Sequence, residues 1–233
     1  LRGPRLSEGG RARAGARAGF ASGARRVHAS SHPMSMLEPD YQQERPGPAA
    51  VEALWRKPVF TLDEPAGPAV EALLGALDAA HVNGGAGFAR FEFADDPCLR
   101  WFVSRNRFDE IAFKEHLLTS EALRGHLPGL EIPAALEPLE WEWWSSYLLA
   151  GDWARSLMQG GAYLKFQEGA RKAIETGEKA CAELFGDRHE EVMVFRTGAA
   201  WSGWFYNVAW DMTWVGIDKR ERKAWLLCLT DTD

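Results

Sequence analysis

Cysteine is scarce in this chain of 233 residues, which holds three, at Cys98, Cys181 and Cys228. Three widely spaced cysteines cannot form the disulfide framework of a small secreted domain or a cysteine-rich zinc site. Unpaired thiols persist in a reducing compartment, so we predict a cytoplasmic protein. Long hydrophobic runs are also missing. None approaches the ~18 apolar residues that a membrane-spanning helix needs, so we expect no membrane partner.

Several common catalytic motifs are absent as well. The glycine-rich stretch 84–87 follows a predicted helix and precedes a predicted strand, whereas a dinucleotide-binding loop needs a strand first and a helix afterwards. The stretch His189–Met193 resembles the start of a zinc-peptidase helix, but Met193 stands where the second histidine is required. The sequence therefore predicts no cofactor.

Positive charge is concentrated at the N-terminus. Residues 1–33 contain seven arginines and one acidic residue, a local charge of +6, which leaves −12 for residues 34–233. Because the first stretch has little apolar surface, we expect residues 1–36 to be a disordered Arg/Gly/Ala-rich segment. The acidic remainder argues against a nucleic acid as a partner of the folded core.

Three interpretations of the basic segment are open. It could bind nucleic acid or an anionic surface through charge, or act as a transit peptide. It could also be non-native sequence translated from GC-rich upstream DNA, since the chain opens with Leu1 and ordinary composition begins near Met34 and Met36. We leave the segment out of the fold prediction.

The remainder predicts an α+β fold. Prolines recur through residues 37–67 and indicate an extended lead-in, with one helical turn around Val51–Trp55, to a single domain over residues 68–233. Apolar residues at helical spacing predict helices over Pro68–His81 and Glu168–Phe185. Alternation in 88–93, followed by an Asp-Asp-Pro turn signal, predicts a β-hairpin over 87–104. We expect a mostly antiparallel sheet, with a C-terminal hairpin or meander packed against several helices.

The C-terminal hairpin has a predicted register. Strands are expected over 192–196, 204–217 and 224–230, and a charged turn joins the last two. A turn centred on Arg220 and Glu221 pairs Asp218 with Lys223 and places Trp214 opposite Leu227. Both faces of this hairpin are apolar, which is typical of central strands that are covered on both sides.

Tryptophan is abundant: the chain has eleven, of which nine lie in 141–153 and 201–225. Such side chains line binding sites but also fill cores, and the alternation assigns Trp210, Trp214 and Trp225 to the core. Trp141, Trp143 and Trp144 cannot all point the same way, so at least one should be exposed. The candidate binding residues are Trp141, Trp143, Trp144, Trp201 and Trp204.

Two functions remain open. The first is a non-catalytic module, similar in character to an inhibitor or immunity protein, that binds a protein partner or a small ligand. The second is a metal-assisted hydrolase that uses Asp211, Asp231 and Asp233, which lie near the end of the C-terminal hairpin. A solvated acidic strand end would explain the same three residues. The oligomeric state is not predicted.

Overall fold

A six-stranded sheet forms the centre of the computed structural model, which describes residues 36–233. The segment predicted to be disordered, residues 1–36, lies outside the described residues except for Met36, whose side chain is buried in a core. The strands are β1 (Phe60–Leu62), β2 (Gly85–Phe93), β3 (Glu142–Trp144), β4 (Val192–Thr197), β5 (Met212–Asp218) and β6 (Lys223–Thr230). They lie in the order β1-β2-β6-β5-β4-β3, and every neighbouring pair is antiparallel.

Helices cover both faces of the sheet. They are α1 (Pro48–Trp55), α2 (Pro68–Ala80), α3 (Pro97–Ser104), α4 (Phe113–Leu118), α5 (Glu121–His126), α6 (Leu149–Gln159) and α7 (Gly169–Phe185). The first three each begin with proline, whose missing N–H costs nothing in a first turn. The predicted α+β class is therefore confirmed. In residues 36–233 no helix combines the length and apolar character needed to cross a bilayer.

The C-terminal hairpin has the predicted register. Asp218 pairs with Lys223 and Trp214 with Leu227, and β5 and β6 occupy the two central positions of the sheet. Trp214 belongs to a core on one face, and its neighbour Val215 belongs to a second core on the other. The apolar pattern on both faces thus reflects two cores that share one sheet.

The two faces differ in the helices that cover them. On the long-helix side, α2, α6 and α7 pack around Trp214 and Trp225. On the short-helix side, α1, α3, α4 and α5 pack around Phe91 and Phe93 of β2 and around Val215 and Leu226. We use these two names below.

The hairpin predicted over 87–104 is wrong in its second half, where α3 replaces the strand. Asp96 is the N-cap of this helix, and its side chain accepts a hydrogen bond from the Cys98 backbone N–H at 2.8 Å. Pro97 occupies the first helical position. Asp followed by Pro starts a helix as readily as it makes a turn, and the buried spacing of Leu99, Phe102 and Val103 is helical.

Two other segments also differ from the predicted elements. Residues 37–67, expected to be extended apart from one helical turn around Val51–Trp55, contain the longer helix α1 and the edge strand β1, which pairs with β2 through Phe60 and Phe93. The strand expected over 204–217 begins only at Met212. Just before it, the Asp211 carboxylate accepts a hydrogen bond from the Val208 N–H at 3.0 Å, which closes a turn that an extended chain could not form.

Candidate functional site

A cleft of about 550 Å³ opens on the short-helix side between α4 and the segment 134–141. We call it the Trp141 cleft. Its lining joins apolar side chains to a few polar ones, which is the usual composition of a site for a compact ligand. The lining residues used below are Asp109, Glu115, His116, Leu136, Leu139 and Trp141.

Glu115 fixes one wall of this cleft. Its Oε1 accepts a hydrogen bond from the indole Nε1–H of Trp141 at 3.0 Å and from the backbone N–H of Leu139 at 3.5 Å. The carboxylate on α4 therefore holds the irregular segment 134–141 in place and orients the indole ring. None of the ion pairs within residues 36–233 includes Glu115, so no salt bridge offsets its negative charge.

Lys114, next to Glu115 in α4, is buried behind the cleft. Its side chain is 1% exposed, and its ammonium pairs with the exposed carboxylate of Asp109. The same ammonium lies 4.1 Å from the ring centroid of Phe195 and 5.5 Å from that of Trp141. The ion pair and the two aromatic faces offset the cost of burying the cation. Lys114 neutralises Asp109 and leaves Glu115 as the unbalanced carboxylate.

His116 lies at the edge of the cleft and stacks on Trp55 of α1. The ring centroids are 3.9 Å apart and the planes differ by 16°. Burial lowers the pKa of His116, and the nearby charge of Glu115 opposes this shift only in part. The imidazole is therefore neutral at neutral pH and offers a flat, uncharged surface.

The predicted tryptophan set does not converge on one site. Trp141 lines the cleft, whereas Trp143 is 66% exposed on the edge strand β3. Trp144 is half-buried, and the guanidinium of Arg196 lies over its ring, with the Arg196 Cζ atom 3.4 Å from the ring centroid. Trp201 is buried and donates to Thr213 Oγ1 at 2.8 Å, and Trp204 is half-buried and packs against the Phe205 ring.

Asp211 and Asp231 are buried and hydrogen-bonded to other parts of the chain. Asp211 accepts from the Thr230 hydroxyl at 2.5 Å as well as from Val208. Asp231 accepts from the Asn83 N–H at 2.8 Å and the Ala162 N–H at 2.7 Å. Asp233 is exposed. Within residues 36–233, which include all three aspartates, no three His, Cys, Asp or Glu side chains are grouped to hold a metal ion.

Sequence reasoning missed a buried ionic network on the long-helix side. Arg196 on β4 donates from Nη1 to both oxygens of Asp152 on α6 at 2.9 Å, and the Trp214 Nε1–H donates to the same carboxylate at 2.8 Å. Burial by itself would lower the pKa of Arg196. The hydrogen bonds to Glu142 and Asp152 outweigh this effect and raise the pKa. No local pattern reveals partners that lie 44 and 62 residues apart.

No protein-family model matches this chain, and no curated protein matches it significantly. Function therefore has to be inferred from the chemistry of the site itself.

Proposed function

We propose that this protein is a non-catalytic binding module that holds a compact ligand in the Trp141 cleft. The observation that carries this proposal is the position of the Trp141 indole, which lines a cleft of about 550 Å³. Its Nε1–H donates a hydrogen bond to Glu115 Oε1 at 3.0 Å, and this contact fixes the orientation of the ring. A rigid aromatic wall that is already held in place loses little conformational entropy when a ligand binds.

The lining favours a ligand with a flat apolar body and one cationic group. Leu136, Leu139 and Trp141 provide the apolar contact surface. Glu115 provides an acceptor whose charge no salt bridge within residues 36–233 offsets, while Lys114 neutralises Asp109. A buried or half-buried carboxylate without a cation gains most from a ligand that supplies one.

Two-dimensional ¹H–¹⁵N NMR of the indole N–H groups can test this proposal with two probes of similar shape and opposite charge, tryptamine and indole-3-propionate. The Trp141 signal is assigned by its loss in Trp141→Phe. We expect tryptamine to shift that signal saturably, with an affinity about tenfold or more above that of the propionate. Glu115→Gln should remove the preference for the amine.

Trp143→Ala is the matched control because it removes an exposed tryptophan outside the cleft. Tryptamine should bind this variant as it binds the parent protein. Failure of both probes to shift the Trp141 signal saturably would contradict the proposal, and so would equal binding of the two probes.

A protein partner is the second candidate, because exposed apolar side chains cluster at the edge strand. Trp143 is 66% exposed, Tyr147 63% and Leu148 57%. With a charge of −12 over residues 34–233, the partner would be basic, as for an inhibitor-like protein. Titration with cytochrome c, ribonuclease A and lysozyme tests this candidate. Binding that Trp143→Ala abolishes would support it, and binding that Trp143→Ala leaves unchanged would contradict it.

A cytoplasmic location belongs to the same proposal, and the three cysteines are unpaired in the structure. Metal-assisted hydrolysis stays an untested prediction. We do not extend it, because Asp211 and Asp231 already accept hydrogen bonds that hold neighbouring loops.

A further inference from the structure

A second cleft, of about 410 Å³, meets the Trp141 cleft at α4. We call it the Trp55 cleft. His116 and Thr119 line both clefts, so the two are adjacent along one face of the helix. The stacked rings of Trp55 and His116 lie where the clefts meet, and Trp55 also packs against Phe60 and Phe113, which fix its orientation.

The two clefts carry opposite charge. The Trp141 cleft is lined by Asp109 and Glu115 and by no lysine or arginine. The Trp55 cleft is lined by Arg56 and Lys57, together with a single acidic residue, Glu121.

The two cations are largely exposed. Arg56 pairs with Glu52 and Lys57 with Asp96, and the side chains of Arg56 and Lys57 are 73% and 64% exposed. The Arg56–Glu52 pair is exposed on both sides and therefore weak. Asp96, the 18% exposed partner of Lys57, also accepts a hydrogen bond from the Cys98 N–H, which remains when the lysine turns toward a ligand.

We infer that the two clefts form one groove for an elongated zwitterionic ligand, such as a short peptide with a free amine and a free carboxylate. This inference rests on the proposed function, which places the amine at Glu115. The apolar part of the ligand lies against Trp141, the chain crosses the flat surface of His116 and Trp55, and the carboxylate reaches Arg56 and Lys57. The groove therefore selects ligands by both end charges and by the length between them.

A series of peptides tests the inference: tryptophan extended by zero to four glycines, each with a free or an amidated C-terminus. Binding is followed on the Trp141 indole signal at low ionic strength, with tryptamine as the reference. We expect affinity to peak at one length, where the free carboxylate improves binding about tenfold over the amide. Shorter peptides should bind no better than tryptamine.

The double variant Arg56→Gln/Lys57→Met should abolish the advantage of the free carboxylate and leave tryptamine binding unchanged. Arg171→Gln is the matched control, because Arg171 is also exposed and also pairs with a glutamate one helical turn away. Thermal melts confirm that each variant is folded. Both variants alter exposed side chains, so loss of the fold is not expected.

The outcomes separate the two proposals. If tryptamine binds but neither amidation nor the double variant changes peptide affinity, the groove inference is wrong and the Trp141 site stands. If neither tryptamine nor any peptide binds, both proposals are wrong. A length optimum that survives in the double variant would also overturn the inference, because the carboxylate would then contact something else.

Discussion

The two sides of the sheet contain the same type of hydrogen bond in different surroundings. On each side a carboxylate accepts a hydrogen bond from an indole N–H, Asp152 from Trp214 at 2.8 Å and Glu115 from Trp141 at 3.0 Å. Asp152 is buried and neutralised by Arg196, whereas Glu115 is half-buried and has no ion-pair partner among the described residues. The first contact closes a core, and the second leaves a charge available beside a cleft.

Helix length explains this difference. The long-helix side is covered by helices of 13, 11 and 17 residues, and the short-helix side by helices of 8, 8, 6 and 6. Long helices present continuous ridges to a sheet, and the clefts beside α6 and α2, of about 340 and 210 Å³, are smaller than the Trp141 and Trp55 clefts. Short helices need more connections, and the Trp141 and Trp55 clefts lie beside them. The side covered by short helices is therefore the one on which we propose that a ligand binds.

Replacing each carboxylate by its amide should give the largest contrast between the sides. Asp152→Asn leaves Arg196 with only the exposed Glu142 as a counter-charge and should lower the free energy of unfolding by about 3 kcal/mol. Glu115→Gln retains an acceptor in a half-buried position and should cost about 1 kcal/mol or less. Urea unfolding followed by circular dichroism measures both, and equal losses would contradict the comparison.

Gly216→Ala should be the next most damaging change, because the central strands have no spare volume. An added Cβ would lie 2.0 Å from Cε2 of Trp225, the residue opposite it in β6. Such overpacking costs about 1–3 kcal/mol or more. Gly75→Ala on α2 is the control, since its Cβ would meet nothing within 4 Å. That change should raise the thermal midpoint, because alanine favours a helix over glycine.

Acidification should lower the free energy of unfolding because of His116, which lies on the short-helix side. Burial lowers the pKa of this residue in the folded protein, so as the pH falls below about 6.5 the unfolded chain takes up the proton first. Stability should therefore decrease as the pH falls from about 6.5 through the lower pKa of the folded state. His116→Gln should flatten the curve of thermal midpoint against pH between about 7.5 and 5. A parent-like curve in His116→Gln would contradict the assignment.

The smallest expected effect concerns the thiols. Burial raises the pKa of Cys181 and of Cys228 to about 12, and it also raises the pKa of the half-buried Cys98, to which the charge of Asp96 adds. A disulfide reagent at pH 8 should therefore modify Cys98 slowly and the other two only after unfolding. Mass spectrometry counts the modified thiols, and rapid labelling of Cys181 in the native protein would show that α7 opens more readily than its packing implies.

The hairpin of β5 and β6 was predictable because two independent signals agree. The charged turn fixes the register, and apolar residues on both faces indicate a covered position, as Trp214 and Val215 confirm. The region after β2 was not predictable in the same way, because the Asp-Pro pair that suggests a turn also caps α3. A single local signal with two structural meanings cannot decide between them.

The candidate site could be predicted only in part. Trp141 was a candidate because tryptophans are concentrated in residues 141–153. Glu115, in contrast, lies in a stretch whose pattern fits a strand and a helix equally well. Its contact with Trp141 spans 26 residues of sequence, and the stack of His116 on Trp55 joins α4 to α1. Such contacts depend on how the short helices pack, and no local spacing encodes that packing.

Chemical-shift mapping over the whole backbone during a tryptamine titration tests the division between the two sides most directly. The account predicts saturable shifts in α4, in the segment 134–141 and at Trp55, with α2, α6 and α7 unchanged. Shifts centred on Asp152, Arg196 and the long helices would contradict it, because they would place binding on the long-helix side.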